Sequence, residues 1–137
     1  MKIRCKYNKI NQIQDQKIQE VLKKIIFLDD NSELGIEINR VYDVYGLYFS
    51  EVGTQYFICE DTEDEYPTGG HACFFDIIDN SIPINWKFVY NNIDDSYLVP
   101  SEWAEDDMFY EKLLNGEKKE KIIFQKLKEV YTDNSEH

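Results

Sequence analysis

Cys59, His71 and Cys73 are the residues of this chain whose types and spacing come nearest to a reactive centre. His71 and Cys73 form an H-x-C pair that strand spacing would place on one face, and Cys59 could complete a thiol dyad or begin a metal site. A structural zinc takes four ligands, usually in paired spacings. The chain offers three cysteines and one internal histidine, with no C-x-x-C pair. The zinc-deaminase pattern of H-x-E with P-C-x-x-C is missing as well. A Cys–His nucleophile pair is defined by geometry in space, so the sequence leaves it open beside the alternative of buried thiols and an exposed loop histidine. G-x-S-x-G, a phosphate-binding glycine loop and H-E-x-x-H do not occur. No carboxylate spacing singles out a glycosidase acid and base. The expectation is a protein that is not an enzyme, with no catalytic residue, cofactor or metal.

The carboxylates form a second constellation. Asp61, Glu63, Asp64 and Glu65 fall within five residues, just before Tyr66-Pro67. A calcium loop needs ligands at alternate positions and a glycine at the sixth, where this segment has Tyr66. What remains is either a solvated acidic loop or a patch that meets lysines and arginines of a partner. Glu102, Glu105, Asp106 and Asp107 make a further cluster around Trp103, and Asp94 with Asp95 makes another. An exposed Trp among acids would anchor an interface. A Trp that docks C-terminal helices onto a sheet would be buried instead. These twelve residues, Tyr66 and Trp103 included, are the candidate partner-binding set.

Charge agrees with that emphasis. The 137 residues carry 15 basic and 27 acidic side chains, a net charge of -12. Such a potential repels nucleic acid and anionic membranes and attracts basic proteins, although solubility alone is served equally well. The lysines at 118, 119, 121, 126 and 128 read as the solvated face of a helix.

The elements that must position these residues are largely strands. With 42% apolar and 15% aromatic residues, the chain can bury a core as one domain over 1–137. Ile3, Cys5 and Tyr7 alternate as a short strand, and Ile18, Val21, Leu22, Ile25 and Ile26 recur at helical spacing over 13–28 behind Asp15. Asp29 to Ser32 break that helix, and Leu34 to Val41 alternates again. Strands are predicted over 42–51, 54–60, 72–78 and 84–90, with a last short extended piece at 97–100. Gly69-Gly70 reads as a flexible turn and 91–96 as a polar loop. Ser101 is placed as an N-cap, followed by helices over 106–114 and 117–131, the latter presenting Ile123, Leu127, Val130 and Tyr131 on one stripe. Residues 132–137 read as a frayed tail. The longest apolar runs are too short to span a bilayer, no leader is visible at Met1, and the odd cysteine count fits reduced thiols in a cytoplasm.

Four segments, MKIRCKYN, GIEINRVYDVYGL, QYFICEDTEDEYP and FFDIIDNSIPINWKFVY, together resemble a family of small bacterial immunity proteins of polymorphic and contact-dependent toxin systems. The shared features are a Y-x-V-Y-G strand (Tyr42, Val44, Tyr45, Gly46), a strand ending at an acidic turn (Ile58, Cys59, Asp61) and a Tyr-Pro (Tyr66, Pro67). A hairpin with Phe75, Asp79, Asn80 and Trp86 completes them. The resemblance covers residues 1–8 and 34–131. It departs at Thr68-Gly69-Gly70-His71, where the family carries a tryptophan, and in a longer helix over 13–28. The expected fold is α+β: five or six antiparallel strands in a curved sheet or small SH3-like barrel, with one N-terminal helix and two C-terminal helices. The resemblance implies a cytoplasmic immunity protein that covers the active site or substrate groove of a basic, nuclease-type toxin domain. The alternatives are a phage or mobile-element inhibitor or adaptor that binds a host nucleic-acid-binding protein, or a small Cys/His enzyme. Neither nucleic acid nor membrane is expected as a partner.

Overall fold

The computed structural model describes residues 1–26 and 31–135. Its fold is α+β, with antiparallel strands in two sheets and helices at both ends of the chain. Strands β1 (Lys2–Cys5), β2 (Val41–Asp43) and β6 (Phe75–Asp79) form a three-stranded sheet in the order β2-β1-β6. The larger sheet has the order β5-β4-β3-β8-β7, from β3 (Gly46–Ser50), β4 (Gly53–Ile58), β5 (Thr68–His71), β7 (Trp86–Asn92) and β8 (Asp95–Pro100). Helices α1 (Gln16–Ile26), α2 (Ser101–Ala104), α3 (Phe109–Leu114) and α4 (Lys118–Ser135) complete it.

The centre of the larger sheet is buried on both faces, which explains the density of aromatics along β4, whereas the edge strand β7 leaves Phe88 and Tyr90 exposed. Along β4, Tyr56 and Ile58 enter one core cluster with Ile3, Cys5, Leu22, Tyr42 and Phe75, while Phe57 and the following Cys59 enter another with Val99, Trp103, Phe109 and Phe124. Successive side chains point to opposite faces of a strand, so a strand covered on both sides reads as a continuous apolar run. The smaller sheet and α1 cover one face; α2, α3 and α4 cover the other. At Val44-Tyr45 the chain crosses between sheets, Val44 entering the first cluster and Tyr45 the second. The strand predicted over 42–51 is therefore two strands in two sheets.

Several expectations are corrected by long-range pairing. Thr68-Gly69-Gly70-His71 is the edge strand β5, in register with β4 through Gln55↔His71 and Phe57↔Gly69. Glycine suits it because a Cβ on Gly69 would lie 2.6 Å from the Gln55 Oε1 and one on Gly70 3.0 Å from the Phe75 ring. Two glycines carry no alternation, so the sequence pattern hides the strand. The extended piece at 97–100 is the end of β8, the strand between β3 and β7, with Val99 fully buried. The polar segment 91–96 is mostly strand, turning only at Ile93-Asp94 between the paired Asn92 and Asp95.

The alternation over 34–40 is not a strand; only Val41, the last residue of that segment, belongs to one, as the start of β2. Arg40 N–H bonds to the Glu37 carbonyl and Asn39 adopts φ +72, a left-handed conformation that Asn tolerates. Ile36 is buried there and Ile38 exposed. His71 ends β5 and Cys73 lies in a 3-10 turn over Ala72–Phe74, so the two do not share a strand face. Pro100, not Ser101, occupies the N-cap position of α2, because β8 runs directly into the helix.

At the N-terminal helix, the Asp15 carboxylate accepts from the N–H groups of Lys17 and Ile18 at 2.9 and 3.3 Å, the cap that its position suggested. The predicted extension to Leu28 and the break at Asp29-Asp30 lie outside the described residues. Helix α3 ends at Asn115 with Gly116 at φ +76, a left-handed C′ position. Helix α4 continues to Ser135, past the predicted end at Tyr131; residues 136 and 137 lie outside the described residues. Its buried stripe is Glu120, Phe124 and Leu127, whereas Val130 is exposed.

Candidate functional site

The thiols and the histidine are occupied with structure. Cys59 is buried in the helix-side cluster, while Cys73 packs against the other one. His71 spends both ring nitrogens: Nδ1 accepts from the Cys73 N–H at 3.1 Å and Nε2 lies 2.6 Å from the Val52 carbonyl. Burial pushes the Cys59 thiol up to about 12 and Cys73 up to about 11, and raises Cys5 as well. A catalytic cysteine needs a stabilised thiolate, which is the opposite shift. Among the described residues, no group of three or more His, Cys, Asp or Glu side chains could hold a metal ion. Alkylation of the buried Cys5 and Cys59 in native protein at pH 7 is therefore expected to proceed no faster than the protein opens, and the partly exposed Cys73 to react slowly because its thiolate is disfavoured. A thiol that reacts at once with iodoacetamide in the native state would restore the thiol-enzyme reading.

The acidic loop before Tyr66-Pro67 is partly spent on its own architecture. The Asp64 carboxylate accepts from the Asp61 N–H at 3.1 Å. Glu65 pairs with Lys121 at 3.2 Å, and the Lys128 ammonium donates to the carbonyls of Thr62 and Asp64 at 2.6 and 2.8 Å. Two α4 lysines thus clamp the loop, which corrects their reading as a purely solvated face. Asp61, Glu63 and Tyr66 are exposed. Replacing Lys128 by Met removes a charge-assisted fork to two backbone carbonyls. It is expected to speed hydrogen exchange across 61–66, with global stability lowered by only about 1 kcal/mol; unchanged exchange there would show that the clamp does not hold the loop.

Asp106 and Asp107 beside Trp103, together with Asp95, meet at one feature that no single segment of sequence contains. Between the helix-covered face of the larger sheet and α2–α3 lies a cleft of about 550 Å³. Tyr48 of β3 and Tyr97 of β8 are paired in register, meeting edge to face at 4.7 Å. Across the cleft Trp103 stacks on Tyr110 at 5.4 Å and 6°, and the Tyr110 hydroxyl donates to the Pro67 carbonyl at 2.7 Å. Asp95, Asp106, Asp107 and Glu111 line the cleft, and no lysine or arginine does. Burial, then the neighbouring Asp95, push the Tyr97 hydroxyl up to about 12 and raise Tyr48 as well, so both remain neutral donors.

The four cleft carboxylates differ in what they are free to do. Asp106 accepts from the Met108 N–H at 3.0 Å and from Lys112 at 3.1 Å, which holds its carboxyl below the usual range. Asp95 accepts from the Asn91 amide at 3.4 Å, and neither Asp107 nor Glu111 forms an ion pair with a described residue.

The remaining candidates are dispersed. Trp103 is only 7% exposed, so it is not a protruding anchor; it docks α2 on the sheet and presents a sliver of ring to the cleft. Glu105 pairs with Lys87 at 3.1 Å, and Glu102 borders a separate groove beside Ile84, Ile123 and Val130. Asp94 is exposed at the β7–β8 turn. Sequence reasoning missed Tyr48, Tyr97, Tyr110 and Glu111. Only the β3–β8 pairing across nearly fifty residues joins the first two, and nothing local announces it.

No helix among the described residues is long and apolar enough to cross a membrane. Compared with known proteins, the chain matches no family model, no curated protein and no solved structure.

Proposed function

We propose that the protein is a non-catalytic immunity protein of the cytoplasm, which binds a cognate toxin domain of basic, nuclease type and covers its active site or substrate groove. The observation that carries this reading is the aromatic cleft lined by four carboxylates and no base, on a chain of net charge -12. A surface of that kind competes with an anionic substrate for a cationic groove and accelerates encounter by long-range attraction. The resemblance of 1–8 and 34–131 to immunity proteins supplies the biological setting.

The test is affinity capture of the tagged protein from its native cells, followed by separate expression of whatever is retained in stoichiometric amount. The expected result is one basic polypeptide that arrests growth alone and is tolerated when this protein is co-expressed. Reversing charge at Asp107 and Glu111 should slow its association several-fold at low salt and little at high salt. A captured partner that is not toxic, or an on-rate insensitive to salt, would move the reading to an adaptor or inhibitor of a host nucleic-acid-binding protein.

A further inference from the structure

Resting on that binding reading, we propose that the cleft between the larger sheet and α2–α3 receives an arginine side chain carried on an extended segment of the protein partner. Three observations converge on a cation joined to a peptide. Asp95, Asp107 and Glu111 bring negative charge to a concave wall that holds no basic residue, and only Asp106 among the lining acids is neutralised by a described lysine. The walls are aromatic, with Tyr48 and Tyr97 on one side and Trp103 and Tyr110 on the other. A cation over such ring faces gains attraction from the ring quadrupoles, and a planar guanidinium also stacks and can bond a carboxylate with two parallel N–H groups.

The third observation is the indole N–H of Trp103, which has no acceptor among the described residues. Among the described residues no buried side-chain nitrogen or oxygen lacks a hydrogen-bond partner, so this N–H keeps contact with solvent although the residue is 7% exposed. Trp103 is one of the lining residues of the cleft, and an N–H donor has no use for a cation. It suits a backbone carbonyl of the segment that carries the arginine, which favours a peptide over a small organic cation. At about 550 Å³ the cleft is of the size that takes a ligand larger than one side chain, leaving room for that backbone. The receptor is also built before the ligand arrives. Tyr110 is held by its stack on Trp103 and its bond to Pro67, and Tyr97 by its edge contact with Tyr48, so little ordering remains to be done on binding.

The partner being unidentified, the probe is N-acetyl-argininamide, titrated into the full-length protein and followed by two-dimensional NMR, beside its neutral isostere N-acetyl-citrullinamide. Expected are saturable shifts of the Trp103 indole N–H and of the backbone amides of Gly69 and Asp95, from the arginine probe only. Asp95→Asn with Asp107→Asn, which keep side-chain shape, should weaken binding about fivefold or more. Asp61→Asn with Glu63→Gln should leave it unchanged. Equal shifts from both probes, shifts confined to 61–66, or unsaturable shifts spread over all acidic surfaces would overturn the assignment. A captured toxin that binds the Asp95→Asn, Asp107→Asn protein with unaltered affinity would likewise remove the cleft from the interface, while leaving the immunity reading in place.

Discussion

Replacing Phe124 by alanine is expected to cost about 3–5 kcal/mol of stability, the largest single-residue effect anticipated for α4. Phe124 is 1% exposed and meets Tyr45 edge to face at 5.1 Å, where the chain crosses between sheets. On α4 the other buried apolar residue is Leu127, and Tyr131 is half-buried beside them. A helix of 18 residues is marginal alone in water, so its stability comes from this narrow apolar contact. Loss of the ring opens a cavity between sheet and helix that well-packed neighbours fill only partly. Against a domain stability of about 5–15 kcal/mol, that is a large fraction. Urea unfolding followed by tryptophan fluorescence checks it, because Trp103 lies in the same cluster. Ile122→Ala, at a position 46% exposed on the same helix, should change stability by no more than about 0.5 kcal/mol. A Phe124→Ala loss below about 1 kcal/mol would mean that α4 is not integral to the helix-side core.

Raising the pH from about 9 to about 11 should destabilise the fold, and its buried and partly buried thiols and tyrosines are the cause. Burial lifts Cys59 from 9.0 to about 12 and Cys73 from 9.0 to about 11, while Tyr97 and Tyr110 rise from 10.0 to about 12. Each is neutral when protonated, so a raised value means that the fold disfavours the anion. In the unfolded chain these groups lose their protons first. The unfolded state then binds fewer protons, and stability falls as pH increases. The contribution is intact below 9.0 for the thiols and below 10.0 for the tyrosines, and is lost as pH rises through the folded values. Within that window a fully buried group costs up to about 1.4 kcal/mol per pH unit, and solvent screening makes the partly exposed Cys73, Tyr97 and Tyr110 cost considerably less. Urea midpoints measured from pH 7 to 11 should be flat below 9 and then fall. Cys59→Ala should shallow the fall by removing the most strongly shifted thiol, whatever it costs at neutral pH. A midpoint that stays level to pH 11 would show that these groups are far more hydrated than their packing indicates.

The two effects bear on function because both act on the helix-side cluster, whose Trp103 and Val99 also line the cleft. Weakening α4 or ionising Cys59 should loosen the platform under the proposed contact surface. Binding should then decline together with stability at these positions. At Asp107 and Glu111, on the rim, it should decline without loss of stability.

What could be read in advance followed the range of each signal. Ile3 and Cys5 alternate, and both are buried in β1; Asp15 precedes a helical pattern and does cap α1; Asn115-Gly116 ends α3. Each depends on neighbours within a few residues. Failures came where a distant partner decides. Leu34 to Arg40 has the alternation of a strand but turns at Asn39, and the chain joins β1 only at its end, where Asn39 and Arg40 bond to Cys5 and β2 begins at Val41. Thr68 to His71 has no pattern, yet β4 recruits it as an edge. Trp103 was open to two readings, an exposed anchor or a residue that docks the C-terminal helices, and the docking one holds because α3 and the sheet close around it.

By itself, then, the sequence determined the α+β class, the aromatic-rich strands, the acidity and the clustering of carboxylates, because composition and short-range periodicity carry those properties. Tertiary structure alone decided which acids are available. It spent Asp64, Glu65, Glu105 and Asp106 on a loop turn, α4 and nearby lysines. It also carried Asp95 beside Tyr48 through the pairing of β3 with β8, and packed α2 and α3 so that Asp107 and Glu111 line the same aromatic cleft. The physical reason is that an ion pair or a cleft wall is a relation between residues far apart in the chain, and only the packed sheet, with its register and its covering helices, brings them within reach.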